Sequence, residues 1–131
     1  MKGQIWDPLR KKQVAATPEE EVRQWFIETL VHAGVPHHRM MSEVQMSLGE
    51  KPLRADIVIY GRDGATLAIV ECKEPGIEIS AKTAEQALRY YAVLKAGYIF
   101  LTNGKSTYIY KKEGDAFIAM DHFPGMNEMD A

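Results

Sequence analysis

The chain has 131 residues, of which 46% are hydrophobic and 26% are charged, and its formal net charge is −2. This length allows one domain with a hydrophobic core and excludes two. The slight acidic balance excludes a strongly basic nucleic-acid binder, so contact with nucleic acid requires a local basic patch or a partner. No apolar run approaches the roughly 20 residues that span a bilayer, and residues 1–10 lack the apolar stretch of a signal peptide.

The first predicted element is a helix that follows an N-terminal extension over residues 1–16. Thr17 is a suitable N-cap, Pro18 fits the first helical position, and Glu20 completes a capping box. Residues at helical spacing then form an apolar face that ends before Gly34. They are Val22, Trp25, Phe26, Thr29, Leu30 and Ala33.

Strands and one further helix follow along the chain. The predicted segments are a strand over 41–48, a hairpin over 54–73, a helix from Ser80 to about Ala96, and strands over 98–102, 106–111 and 115–120. The tail over 124–131 lacks periodicity, and we expect it to fray. This order predicts a single α/β domain, residues 1–131 with a core over about 17–120, in which helices flank a mixed central sheet. The crossover from the hairpin to 98–102 is a strand–helix–strand unit, right-handed if its two strands are parallel.

The hairpin places two acidic residues opposite each other. Asp63-Gly64 is a favoured two-residue type I′ turn, and with that turn Ile57 faces Val70. Asp56 then lies directly across from Glu71. Two carboxylates in this position repel each other, so the pair is destabilising unless something compensates its charge.

A metal ion is one such compensation. Because side chains alternate along a strand, Asp56, Glu71 and Lys73 are predicted to project from the same side of the sheet. Mg²⁺ prefers carboxylate oxygen and water, and the main-chain carbonyl of Cys72 adds a third protein ligand. Lys73 would stand beside the ion as a positive point charge. A metal-free alternative is a salt bridge of Lys73 with Asp56 or Glu71.

Cys72 itself is predicted to be a small core residue, because its side chain points to the face opposite that of Glu71. It is the single cysteine of the chain. An internal disulfide is therefore ruled out, and the composition fits a reducing, cytoplasmic environment.

The pattern Asp56…Glu71-Cys-Lys73, embedded in RADIVIY…LAIVECKEP, resembles the PD-(D/E)xK nuclease superfamily. More narrowly, it is similar to the N-terminal nuclease domain of type I restriction enzyme R subunits, over about residues 17–103. That subgroup carries a Q-x-x-x-Y signature on the following helix, and Gln86-Ala-Leu-Arg-Tyr90 stands at that place. One departure is Ala55, where the superfamily name has proline.

The resemblance implies a restriction-endonuclease-like αβββαβ core and Mg²⁺-dependent hydrolysis of DNA, with Mn²⁺ as a substitute. It implies that Asp56 and Glu71 bind the metal, that Lys73 assists catalysis, and that Gln86 and Tyr90 arrange the site or contact DNA. The plainer alternative is that Gln86 is solvated and that Tyr90 packs in the core.

The resemblance also implies an acid from the first helix near the metal. Glu19, Glu20 and Glu21 are the candidates. We choose Glu19 as the metal-binding acid, because it lies closest to the apolar face by helical angle, whereas Glu20 points away and can serve the cap. Acids favour a helix N-terminus through its dipole, which explains their presence without any metal. Arg23, one turn on, is expected to pair with Glu19 in a solvated salt bridge or to touch phosphate.

Two classes of function stay open. The first is a restriction-type DNA endonuclease that acts as a dimer or with motor and recognition subunits. The second is a non-catalytic module that keeps the fold and binds nucleic acid or a protein partner. Nucleotide binding is rejected, because the loop motif that ends in Gly104-Lys105 needs a glycine at the place of Ile99. The four histidines lack the spacing of a zinc site.

Overall fold

We analysed a computed structural model that describes residues 3–92 and 94–131, with the main chain only at Leu48 and Lys51. Groups of strands are separated by two main helices, and a short third helix ends the chain. In chain order the elements are β1 (Gln4–Asp7), β2 (Lys12–Ala15), α1 (Pro18–His32), a 3₁₀ turn (His37–Arg39), β3 (Met40–Leu48), β4 (Lys51–Tyr60), β5 (Thr66–Cys72), α2 (Ala81–Tyr91), β6 (Tyr98–Thr102), β7 (Thr107–Glu113), β8 (Ala116–Ala119) and α3 (Met126–Met129).

A six-stranded mixed sheet forms the centre, in the order β3-β4-β5-β6-β7-β8. β5 and β6 run parallel, and each of the other neighbouring pairs is antiparallel. One hydrophobic cluster joins α1 to one face of the sheet, and a second joins α2 to the other face. The succession α1, β3, β4, β5, α2, β6 confirms the predicted αβββαβ core with flanking helices.

Both predicted main helices begin where the sequence places them. The hydroxyl of Thr17 accepts the Glu20 amide at 3.1 Å, and that of Ser80 accepts the Thr83 amide at 3.1 Å. The second helix stops at Tyr91 rather than near Ala96, because the chain must turn back to start the next strand. Val93 lies outside the described residues. None of the helices within the described ranges is long and apolar enough to cross a membrane.

The two ends of the chain carry more structure than predicted. The extension forms the hairpin β1–β2, in which Asp7 pairs with Lys12. The expected fraying of the tail is wrong, because α3 docks on the end of α1: the amide of Met126 donates to the carbonyl of Ala33 at 3.0 Å. Met129 is 6% exposed and belongs to the α1-side cluster. Met126 also packs against this cluster, and Asp130 pairs with Arg39 and Arg62. These tertiary contacts hold a four-residue helix that has no periodicity to detect.

The β4–β5 register is as predicted at Ile57 and Val70, although the turn is not. The amide of Gly61 donates to the carbonyl of Ala65 at 2.8 Å, so the loop has three residues instead of two. Three-residue hairpin loops place a left-handed residue last, and Gly64 has φ +84. A bulge after Ile59 absorbs Leu67 as one extra residue, which restores the original register.

Candidate active site

Side chains along a regular strand point alternately to the two faces of the sheet, and in β4 this alternation changes phase at Asp56. Ile57 packs in the α1-side cluster, whereas Ala55, two residues earlier, packs in the α2-side cluster. Across from Asp56 in β3 stands Glu43, whose φ of +52 is left-handed and rare for a residue with a side chain. This irregular step frees both carboxylates from the faces that regular strands would give them.

The carboxylate of Asp56 lies at the gap between β4 and β5. Its Oδ2 accepts the main-chain amide of Cys72 at 2.6 Å, in the place of a strand-to-strand hydrogen bond. Its Oδ1 lies 3.6 Å from the guanidinium of Arg23 on α1. We predicted that Asp56 and Glu71 project from the same side of the sheet. That prediction is wrong, because Asp56 contacts Arg23 of α1 whereas Glu71 contacts Tyr91 of α2.

Burial raises the pKa of Asp56 to about 6, above its ordinary value of 3.8. The Cys72 amide and the charge of Arg23 oppose this rise, whereas the charges of Glu19 and Glu71 add to it. The two other carboxylates therefore lie close enough to act electrostatically on Asp56. Desolvated, mutually repelling carboxylates are typical of functional sites, although structural ion-pair networks also perturb pKa values.

Glu71 is held from two sides. Its Oε1 accepts the hydroxyl of Tyr91 at 2.9 Å, and its Oε2 lies 3.5 Å from the ammonium of Lys73. The main-chain amide of Lys73 donates to the carbonyl of Thr102 at 2.8 Å, which fixes the start of its side chain beside the parallel strand β6. The salt bridge foreseen as the metal-free alternative is therefore present, with Glu71 as its acid.

Tyr91 is the residue that sequence reasoning missed. The family signature points to Tyr90, whose hydroxyl lies 3.4 Å from the carbonyl of Pro52, and to Gln86, which is exposed. Burial and the charge of Glu71 raise the pKa of Tyr91 well above its ordinary range. Its signal was available: Tyr91 follows the buried Ala84 by seven residues, which puts both on one helix face.

A Tyr91→Phe variant is expected to lower the free energy of unfolding by about 1–2 kcal/mol, because a hydrogen bond to a charged acceptor is lost. Tyr90→Phe is the matched control, and its weaker bond predicts a change below about 0.5 kcal/mol. Denaturant unfolding of both variants measures the difference. Equal losses would show that the Tyr91–Glu71 bond does not hold the carboxylate.

The first helix brings the buried pair Glu20 and Arg23 to the site, whereas the helical angle predicted Glu19. Glu20 is buried and does not point away; its carboxylate contacts Arg10 and Gln24 at 2.7 and 3.0 Å. Glu19 is exposed and acts on Asp56 only through its charge. Arg23 is 6% exposed, so its salt bridges are buried rather than solvated, and they join Glu20, Glu43 and Asp56 instead of Glu19.

The donor chemistry fits Mg²⁺ better than a metal held wholly by the protein. Within the described residues, no three His, Cys, Asp or Glu side chains lie together as a metal-binding group. Mg²⁺ keeps several waters and needs only one or two carboxylates. Asp56 and Glu71 would provide these, with side chains that are 16% and 26% exposed, and the Cys72 carbonyl follows directly after Glu71 in the chain.

Comparison with known proteins places the chain. Residues 18–124 match the family described as "Type I restriction enzyme R protein N terminus (HSDR_N)". Among curated proteins, the Type I restriction enzyme EcoAI endonuclease subunit of Escherichia coli is 34% identical over 82 residues, covering 57% of this chain. The chain spans only 10% of that relative's length.

Two solved structures share the fold. A fragment assigned as an HsdR subunit of a type I restriction enzyme from Vibrio vulnificus has a TM-score of 0.62 at 19% identity, covering 85% of this chain and 24% of the other. A protein assigned as a nuclease from Anabaena variabilis has a TM-score of 0.53 at 10% identity, covering 92% and 78%. Since the family match spans most of the sequence, the chain belongs to the family of type I restriction enzyme R protein N-terminal domains.

Proposed function

We propose that this chain is a metal-dependent endonuclease domain that hydrolyses DNA phosphodiester bonds. The observation that supports this most is that Asp56, Glu71 and Lys73 lie where the pairing of β4 with β5 ends. Asp56 accepts the Cys72 amide, Glu71 acts on Asp56 through its charge, and Lys73 lies 3.5 Å from Glu71. All three side chains are partly open to solvent. Membership of a restriction-enzyme family agrees with that chemistry.

In this proposal Asp56, Glu71 and the main-chain carbonyl of Cys72 hold Mg²⁺, or Mn²⁺ in its place. The ion would polarise the phosphoryl group and lower the pKa of a bound water. The Cys72 amide orients Asp56, and the Tyr91 hydroxyl orients Glu71. Lys73 directs its ammonium at the attacking water or at the charge that develops on phosphate.

The surrounding residues would serve binding. Glu19, at the exposed start of α1, adds negative charge toward the metal. Gln86 and Tyr90 on α2 would contact the DNA backbone, since α2 packs on the face to which Glu71 turns. Arg23 would act on Asp56 rather than on phosphate, because it is buried. DNA and the motor or recognition subunits of a restriction system are the proposed partners, with a dimer as the alternative assembly.

Nicking of supercoiled plasmid tests the proposal. The purified chain is expected to convert supercoiled plasmid to the open-circular form with Mg²⁺ or Mn²⁺, and a chelator is expected to stop the reaction. Asp56→Asn, purified in parallel, controls for contaminating nuclease. Cleavage by both proteins, or cleavage that survives the chelator, would contradict a metal-dependent site at Asp56.

A non-catalytic module is the second candidate, and one observation favours it. Both acids already have internal cations, since Arg23 lies beside Asp56 and Lys73 beside Glu71. Titration of the metal-free protein with MnCl₂ in a calorimeter separates the two functions. A nuclease is expected to bind Mn²⁺ in a manner that Asp56→Asn and Glu71→Gln abolish, and a bare scaffold is expected to give no such binding heat.

A further inference from the structure

The β1–β2 hairpin reaches the candidate site through one arginine. Arg10 lies in the turn between the two strands, outside the matched residues 18–124. Its guanidinium binds three carboxylates: that of Asp7, Oε1 of Glu20 at 2.7 Å and Oε1 of Glu43 at 2.5 Å. Asp7 is fully buried, which anchors the arginine to its own hairpin. A residue outside the family region therefore holds one acid from α1 and one from β3.

The same two acids also contact Arg23. The Nε of Arg23 lies 3.5 Å from Oε2 of Glu20, and its Nη1 lies 3.6 Å from Oε1 of Glu43. These distances are about 1 Å longer than those that Arg10 makes with the same carboxylates. Arg10 therefore takes the short, strong bonds, and Arg23 is left with loose ones.

The other contacts of Arg23 are with Asp56. Its Nη2 lies 3.6 Å from Oδ1 of Asp56 and its Nη1 lies 3.5 Å from the main-chain oxygen of the same residue. The Nε atom is buried and has no hydrogen-bond partner among the described residues. A buried guanidinium with only loose contacts can move toward whichever carboxylate attracts it most.

We infer that Arg10 is a positioning residue that keeps the charge of Arg23 at Asp56 and so weakens divalent-metal binding at Asp56 and Glu71. Arg10 neutralises Glu20 and, together with Arg54, which lies 3.0 Å from Oε2 of Glu43, neutralises Glu43, so that these acids do not draw Arg23 away. This inference rests on the proposed function, because it concerns the affinity of the proposed metal site. The direction of the change in metal affinity distinguishes this role from a purely structural one. If Arg10 were purely structural, removing it would weaken metal binding. If Arg10 keeps Arg23 at Asp56, removing it strengthens metal binding.

The test is calorimetric titration of the full, metal-free chain with MnCl₂. Arg10→Gln is expected to bind Mn²⁺ about tenfold more tightly than the wild type, because one cation is removed and a second is drawn off Asp56. Arg23→Gln is expected to tighten binding similarly, and Arg10→Gln in that background is expected to add no more than about twofold. The control is Arg62→Gln, which removes an equal charge from a side chain that is 78% exposed and pairs with Asp130. Its affinity is expected to stay within about twofold of the wild type, since exposed charges are screened.

A second variant guards against misfolding. Arg10→Gln leaves Asp7 buried without its cation, so Asp7→Asn/Arg10→Gln removes both charges and is expected to tighten Mn²⁺ binding to the same extent. Circular dichroism and thermal melting check that each variant folds. Unchanged or weaker Mn²⁺ binding in both folded variants overturns the inference alone. A wild type that binds no Mn²⁺ overturns the proposed function, and the inference falls with it.

Discussion

Replacing Lys73 with alanine is expected to reduce the rate of Mg²⁺-dependent plasmid cleavage at least about hundredfold, because a charge aimed at the transition state is removed. Lys73 lies 3.5 Å from Glu71 and is not itself a metal ligand. Binding of Mn²⁺ is therefore expected to persist in the variant. Loss of turnover with retained metal binding would place Lys73 in the chemical step rather than in the metal site.

Lys95→Ala is the matched control for this experiment. Lys95 is exposed and precedes β6, whose first residue pairs with Ala68 at the start of β5. Because β5 and β6 are parallel, Lys95 stands at the end of the sheet opposite to the site. Its removal is expected to leave the cleavage rate within about twofold of the wild type. Equal rates for wild type and Lys73→Ala would remove the lysine from the mechanism.

Asp56→Asn is expected to abolish cleavage and, without metal, to make the protein more stable at neutral pH. The pKa of Asp56 is raised in the folded chain to about 6 from an ordinary 3.8, mainly by burial. Between these two values the folded state binds more protons than the unfolded state, so the free energy of unfolding falls as pH rises. Above the folded pKa the cost is complete, at most about 3 kcal/mol. Asparagine does not ionise and avoids that cost, while its side-chain oxygen can still accept the Cys72 amide.

Denaturant unfolding at pH 8 and at pH 4, with chelator present, measures this effect. We expect Asp56→Asn to exceed the wild type by about 1–3 kcal/mol at pH 8, where Asp56 is ionised, and to match it near pH 4, where the carboxyl of the folded chain is protonated. Asp115→Asn changes an exposed carboxylate and is expected to shift stability by less than about 0.5 kcal/mol at either pH. A variant less stable than the wild type at pH 8 would show that Asp56 stabilises the fold through Arg23.

Both predictions concern one property of this site, which is that the burial and mutual repulsion of its charged groups cost stability. Asp56 is desolvated beside two further acids, and Glu43 adopts a left-handed backbone conformation within a strand. Such strain persists where the surrounding structure holds it in place. Here two arginines provide that support. Arg10 binds Glu43 of β3 and Glu20 of α1, and Arg23 lies beside Asp56 of β4.

The sequence by itself determined the framework. Local capping residues set the starts of α1 and α2, and hydrophobic alternation set the strands, because both depend on neighbours within a few residues. The β4–β5 register also followed from the sequence, although only because the longer turn and the Leu67 bulge cancel each other. The spacing of Asp56, Glu71 and Lys73 gave the candidate site for the same reason, since strand pairing carries sequence spacing into space.

Only the tertiary structure decided which partners these side chains meet. Regular alternation could not foresee that the faces of β4 reverse at Asp56, because the left-handed Glu43 that accompanies the reversal lies on another strand. The choice of Tyr91 over Tyr90 depends on how α2 docks on the sheet, and the docking of α3 depends on a main-chain bond to Ala33. The Arg10 network joins residues up to 33 positions apart. Electrostatic contacts of this kind have no sequence period, so they emerge only when packing brings distant elements together.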